Sequence, residues 1–208
     1  MDIEFIPEDD VSYFEDYISF KILVIGNSGL EKSAILKKAI NKNKFDEIYS
    51  PTIAFEYFTI HFRVKDLKIK LHIWDTMGKE IYSSMLQGSY RNISLLLLVY
   101  DITDKSSFKD LDFWLKDNRL NFNPNIPIII AGNKYDLENK REVPYNDIKE
   151  FSLLNKIRYF TECSGKTGYN VENIFYEAAK YLYNAYIELE KNKNKFSSNY
   201  ILNKYIHF

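Results

Sequence analysis

A loop that opens on glycine and ends in Lys-Ser has the residue types to cradle phosphate. This chain has one, G-N-S-G-L-E-K-S, from Gly26 to Ser33. Backbone N–H groups at a helix start face an anion there, and the helix dipole adds positive potential. In such a loop Ser28, Gly29, Leu30, Glu31, Lys32, Ser33 and Ala34 surround the phosphates. Lys32 reaches the β- and γ-phosphates, and the Ser33 hydroxyl lies on Mg²⁺. A hundred residues on stands N-K-Y-D, Asn133 to Asp136. A carboxylate such as Asp136 accepts two N–H bonds from guanine N1 and N2, a donor pair that adenine lacks. Lys134 packs its stem against the base and braces the phosphate loop, and Asn133 ties the loops together. In S-G-K, Ser164 to Lys166, the Gly165 N–H has guanine O6 as its partner.

Two more segments complete the set. D-T-M-G-K-E runs from Asp75 to Glu80. An acid at a strand end followed by glycine holds Mg²⁺ through water and brings the Gly78 N–H to a γ-phosphate. Thr52, in S-P-T-I, offers a second hydroxyl to the metal. Phe45 suits the edge of a base, or simply the core.

The elements that must position these residues are legible. S-F-K-I-L-V-I, Ser19 to Ile25, reads as a buried strand, and Ile35, Leu36, Ala39 and Ile40 repeat at helical spacing after the loop. Strand, glycine turn and helix is the setting a phosphate loop requires. Residues 53–63 and 67–74 read as a hairpin turning at Lys65-Asp66. L-L-L-L-V-Y from Leu95 and I-P-I-I-I-A from Ile126 are continuous apolar runs, the pattern of strands covered on both faces. Helices are expected around Phe108 to Leu115, over 145–154 and from Val171, with a strand over Ile157 to Thr161. This alternation predicts an α/β fold with one antiparallel pair.

Composition sets outer limits. Hydrophobic residues at 46% and charged residues at 27% suit one globular domain with a full core. A net charge of −1 gives no global attraction to nucleic acid or membrane. With Cys163 the one cysteine, no internal disulfide can form, which suits a reducing compartment. No apolar run nears the ~20 residues that span a bilayer. Residues 1–18 are rich in acids, either a mobile extension or a docking arm. Residues 190–208 read as a flexible Lys/Asn/aromatic tail, or a short amphipathic segment that touches a partner or membrane. The domain proper is 19–189.

The order of these motifs resembles the Ras-superfamily small GTPases, and among them the Rabs. I-W-D-T-x-G-x-E, V-Y-D-I-T-D-K-S-S-F, G-N-K-Y-D-L and E-C-S-G-K-T-G-Y-N-V add to the likeness. The resemblance implies a P-loop NTPase fold of the small G-protein type: a mostly parallel six-stranded sheet with helices on both faces. It implies a GTP/GDP switch that needs Mg²⁺ and serves vesicle trafficking. Exchange factor, GTPase-activating protein and effectors would dock on two mobile loops, residues 45–57 and 76–91. The expected location is cytoplasmic, with peripheral recruitment to organelle membranes by partners.

Departures from the family pattern carry their own expectations. Glu31 replaces a glycine, Ala54 another, and Met77 an alanine. If the Glu31 carboxylate stays within ~6 Å of bound phosphates, repulsion costs roughly 1–3 kcal/mol; if it swings to solvent, the loss is small. Lys79 replaces the glutamine that orients the attacking water, and lysine only donates, so hydrolysis is expected to be slow. Lys79 acting as a cation on the γ-phosphate is the rival. Tyr57, Trp74 and Ser89 fill the places of an aromatic effector triad. The ending Ile-His-Phe has no cysteine to prenylate, so no direct lipid anchor is expected. Three readings follow: a slow GTPase, a pseudo-GTPase interaction module, and, more distantly, an adenine-nucleotide kinase.

Overall fold

The computed structural model describes residues 2–7, 10–11, 17–40, 55–76, 78, 92–121 and 125–195. Its centre is a sheet of seven strands ordered β1-β3-β4-β2-β5-β6-β7. These are β1 (Ile3–Ile6), β2 (Ile18–Ile25), β3 (Phe55–Val64), β4 (Leu67–Thr76), β5 (Leu95–Asp101), β6 (Ile128–Asn133) and β7 (Tyr159–Glu162). The helices are α1 (Lys32–Ile40), α2 (Lys105–Asn121), α3 (Tyr145–Leu154) and α4 (Val171–Lys195). Strands β4, β2, β5, β6 and β7 pair in parallel, and β3 pairs antiparallel to both β4 and β1.

The apolar runs are continuous because alternate residues serve opposite faces. In β5, Leu95, Leu97 and Val99 join one core with α1 and α4. Leu96, Leu98 and Tyr100 join a second core with α2 and α3. The α/β sheet with helices on both faces is therefore as expected from the motifs. The hairpin turns at Lys65-Asp66, with Val64 opposite Leu67.

Several boundaries differ from the sequence expectation, three of them most. The sheet has seven strands, not six, because Ile3, Phe5 and Ile6 have apolar surface to bury. Phe5 meets Phe62 edge-on at 5.9 Å, and Ile6 is buried opposite His61. The acids that made residues 1–18 look like a free arm lie mostly outside these four positions. The second strand also starts earlier, at Ile18. At the other end α4 continues to Lys195, through the first residues assigned to a tail. Residues 196–208 lie outside the described residues, as do Phe45, Thr52, Ala54, Met77, Lys79 and Ser89. No helix among the described residues is long and apolar enough to cross a membrane.

Candidate functional site

Five parallel strands point their carboxyl ends the same way, and every described motif residue lies at that edge, where α/β sheets bind ligands. Register fixes the pairs: Val24 lies beside Asp75, and Asp101 beside Asn133.

At one end stands the phosphate loop. Ser28 and Gly29 form its turn, Leu30 drops its side chain into the core, and Ala34 lies in the first turn of α1. Lys32 is only 5% exposed, and its Nζ donates to the Gly26 and Asn27 carbonyls at 2.7 and 3.0 Å. The ammonium is thus held inside the curl of the loop. The Ser33 hydroxyl donates to the Asp75 carboxylate. Asp75 is fully buried at the end of β4, so a hydroxyl and a carboxylate share one point. Gly78 passes directly over the loop with φ +83; a Cβ there would sit 2.4 Å from the Ser28 backbone nitrogen. Above Gly29, by contrast, a Cβ would meet nothing within 4 Å. A lysine curled under an open backbone turn, with an oxygen pair beside it, fits a polyphosphate and a hard cation.

At the other end the residues that the sequence assigns to base reading form one network. Asn133 is fully buried. Its Nδ2 donates to the Leu30 carbonyl at 2.9 Å, and its Oδ1 accepts from the Gly165 N–H at 2.9 Å. One side chain therefore joins the phosphate loop, β6 and the Gly165 loop. The Ser164 hydroxyl donates to Asp136 Oδ1 at 2.6 Å and accepts from the Thr167 N–H at 3.0 Å. A carboxylate has about four acceptor sites, so Asp136 keeps capacity for a pair of N–H donors. Lys166 is exposed at the rim. Tyr135 and Tyr169 stack at 4.6 Å and bridge the two loops. Cys163 is fully buried beside Asn133, and burial pushes its thiol well above the ordinary range.

Glu31 departs from one sequence expectation, the retreat of its carboxylate to solvent. Its backbone takes φ +59, the left-handed conformation a glycine would adopt, at a cost of about 1 kcal/mol. Its carboxylate does not swing to solvent. It lies 4.0 Å from Lys134 Nζ with its side chain 35% exposed. Lys134 in turn pairs with buried Asp101 at 2.8 Å. Burial raises the Glu31 pKa, Lys134 opposes that, Asp136 and Asp101 add to the rise, and Lys166 opposes it.

Sequence reasoning missed four positions. Asp101 anchors Lys134 and accepts from the Thr103 backbone and hydroxyl. Asn27 donates to Asp110 at 2.5 Å and accepts from the Trp114 indole at 3.2 Å, fixing the phosphate loop to α2. An acid closing the run V-Y-D was the available signal for Asp101; Asn27, Asp110 and Trp114 had none.

Sheet order and paired loops define a class: an α/β protein of the phosphate-loop type, with a guanine-type motif on the adjoining strand. Residues 21–184 match the Ras family. Ras-related protein Rab-4B of Homo sapiens and of Rattus norvegicus are each 40% identical over 165 residues, 79% of this chain and 76% of theirs. Ras-related protein Rab-4A of Bos taurus is 41% identical over 165 residues, 79% of this chain and 75% of its own. The chain belongs to the Ras family of small GTPases and is Rab-like.

Proposed function

We propose that this protein is a Rab-like molecular switch that binds GTP and GDP with Mg²⁺, hydrolyses GTP slowly, and serves vesicle trafficking. The observation that carries this reading is Asn133: one buried amide joins the phosphate loop to the guanine-reading loop. Such a joint has a use when a single ligand spans both ends.

Lys32 neutralises the β- and γ-phosphates from inside the loop. The hydroxyls of Ser33 and Thr52 and, through water, the Asp75 carboxylate hold the metal. Held there, Mg²⁺ would supply positive charge against the charge that develops on the phosphates. The Gly78 N–H meets the γ-phosphate. Lys79 stands where a water-orienting group is needed; as a pure donor it leaves the attacking water without an acceptor, so turnover is slow. Asp136 takes guanine N1 and N2 and the Lys134 stem lies along the base; the Gly165 N–H, expected on guanine O6, is instead spent on Asn133 Oδ1. Ser28, Gly29, Leu30, Glu31, Ala34, Phe45, Ser164 and Lys166 complete the wall. Exchange factor, activating protein and effectors dock through residues 45–57 and 76–91. The protein works in the cytoplasm and reaches membranes through partners.

Binding of mant-GDP and mant-GTP tests the reading. Affinity at or below micromolar, stronger with Mg²⁺ and unchallenged by ATP, is expected. No binding at micromolar protein, with or without Mg²⁺, would sink it.

A second reading, a pseudo-GTPase serving as an interaction module, is favoured by Glu31 in its left-handed backbone. The double variant Glu31→Gly, Lys79→Gln separates the two. Wild-type turnover close to that of the double variant excludes the pseudo-GTPase.

A further inference from the structure

Lys134 is the most contested cation at this edge. Its Nζ lies 2.8 Å from Asp101 and 4.0 Å from Glu31. Asp101 is buried and already holds Thr103 by two bonds, so its pairing with Lys134 is built into the end of β5. Glu31 is different. It is half-exposed, it is on the phosphate loop, and it holds its place at the cost of a left-handed backbone. Glu31 senses Asp136, Asp101, Lys134 and Lys166, all groups of the base-reading end. Three carboxylates thus face two ammonium groups before any ligand arrives.

The neighbouring residue gives this position its leverage. Leu30, immediately before Glu31, accepts the Asn133 bond that joins the two loops. Glu31 therefore sits on the joint, within reach of the lysine that the proposed function places along the base.

We propose that Glu31 is a release-promoting residue: its carboxylate captures Lys134 as the base departs, which speeds the intrinsic release of nucleotide. This rests on the guanine-nucleotide reading above. Glu31 acts through Lys134 and is a positioning residue. Charge repulsion from the phosphates is a separate mechanism, and it scales with phosphate number. Capture of Lys134 does not.

Release of preloaded mant-GDP and mant-GTP from the full chain, chased with excess unlabelled nucleotide, tests this. Wild type, Glu31→Gln and Glu31→Gly are compared at low and high salt. Glu31→Gln keeps the Cβ and the strained backbone and removes only the charge. Wild type is expected to release roughly 10- to 100-fold faster than Glu31→Gln, with Glu31→Gly close to Glu31→Gln. The factor is the same for GDP and GTP and shrinks in high salt. Equal release from wild type and Glu31→Gln overturns the proposal while leaving the switch intact. A factor that grows from GDP to GTP overturns capture in favour of phosphate repulsion. No nucleotide bound by any of the three proteins overturns the switch itself, and this proposal with it.

Discussion

The two ends of the ligand edge are built by different means. The base-reading end is held by neutral and charge-assisted hydrogen bonds whose donors and acceptors are matched: Asn133 to Leu30 and Gly165, Ser164 to Asp136 and Thr167. The phosphate end depends on single charges. Lys32 is curled against two carbonyls, Ser33 is set on Asp75, and Glu31 reaches across to Lys134. A matched network keeps its shape with or without ligand. The Asn133 network is thus pre-built, whereas the phosphate-loop end rests on single side chains whose charge one substitution changes.

The largest expected effect strikes the pre-built end. Asp136→Ala removes both guanine N–H acceptors and is expected to weaken mant-GDP binding roughly 10³-fold, measured by fluorescence titration. The loss should narrow the preference for GDP over ADP; an undiminished preference would show that Asp136 does not read the base. Asn133→Ala leaves a buried carbonyl and a buried N–H without their partner. It is expected to cost about 3 kcal/mol of stability, read from urea unfolding of the ligand-free protein. An unchanged midpoint would mean that the two ends are not joined through this amide.

A change far from both ends supplies a control. Burial, with Lys70 and His72 nearby, lowers the His61 pKa from 6.5 to about 4. Its Nε2 is buried without a hydrogen-bond partner, and the ring meets Tyr17 edge-on at 5.2 Å. The unfolded chain takes up the proton first. The neutral ring's contribution is therefore full above pH 6.5 and is lost as pH falls toward 4, a loss of about 3 kcal/mol. Chemical denaturation across that range should show less acid sensitivity in His61→Phe than in wild type. The smallest effect belongs to the phosphate end. Lys79→Gln restores a group that both donates and accepts, and should raise single-turnover GTP hydrolysis roughly tenfold with mant-GTP affinity unchanged. A fall in rate would instead mark Lys79 as a cation that stabilises the γ-phosphate.

Sequence and structure meet most closely where function is local. The phosphate loop, Asp75, and the Asn133 and Ser164 segments each follow an apolar run, so their place at the carboxyl edge is legible from pattern alone. What pattern misses depends on the third dimension. Ile3 to Ile6 read as part of an acidic arm because neighbouring charges dominate the count, yet Phe62 and His61 give those four residues a surface to cover. Asp101 is the last residue of an apolar run, and only the pairing of β5 with β6 puts it beside Lys134. Glu31 is the sharpest case. Sequence offers repulsion or retreat to solvent, while the structure gives it a lysine 4.0 Å away on another loop.

Strand β1 has a consequence for how the molecule meets other chains. Without it, β3 would end the sheet with a row of unpaired amides and carbonyls, an open template for strand addition or self-association. With Ile3–Ile6 in register against His61–Val64, that row is closed along four residues. β1 itself is now the edge of the sheet, so a partner that extends the sheet there meets a strand of only four residues. Ile3–Ile6 thus set how long a template this side of the molecule offers a visitor.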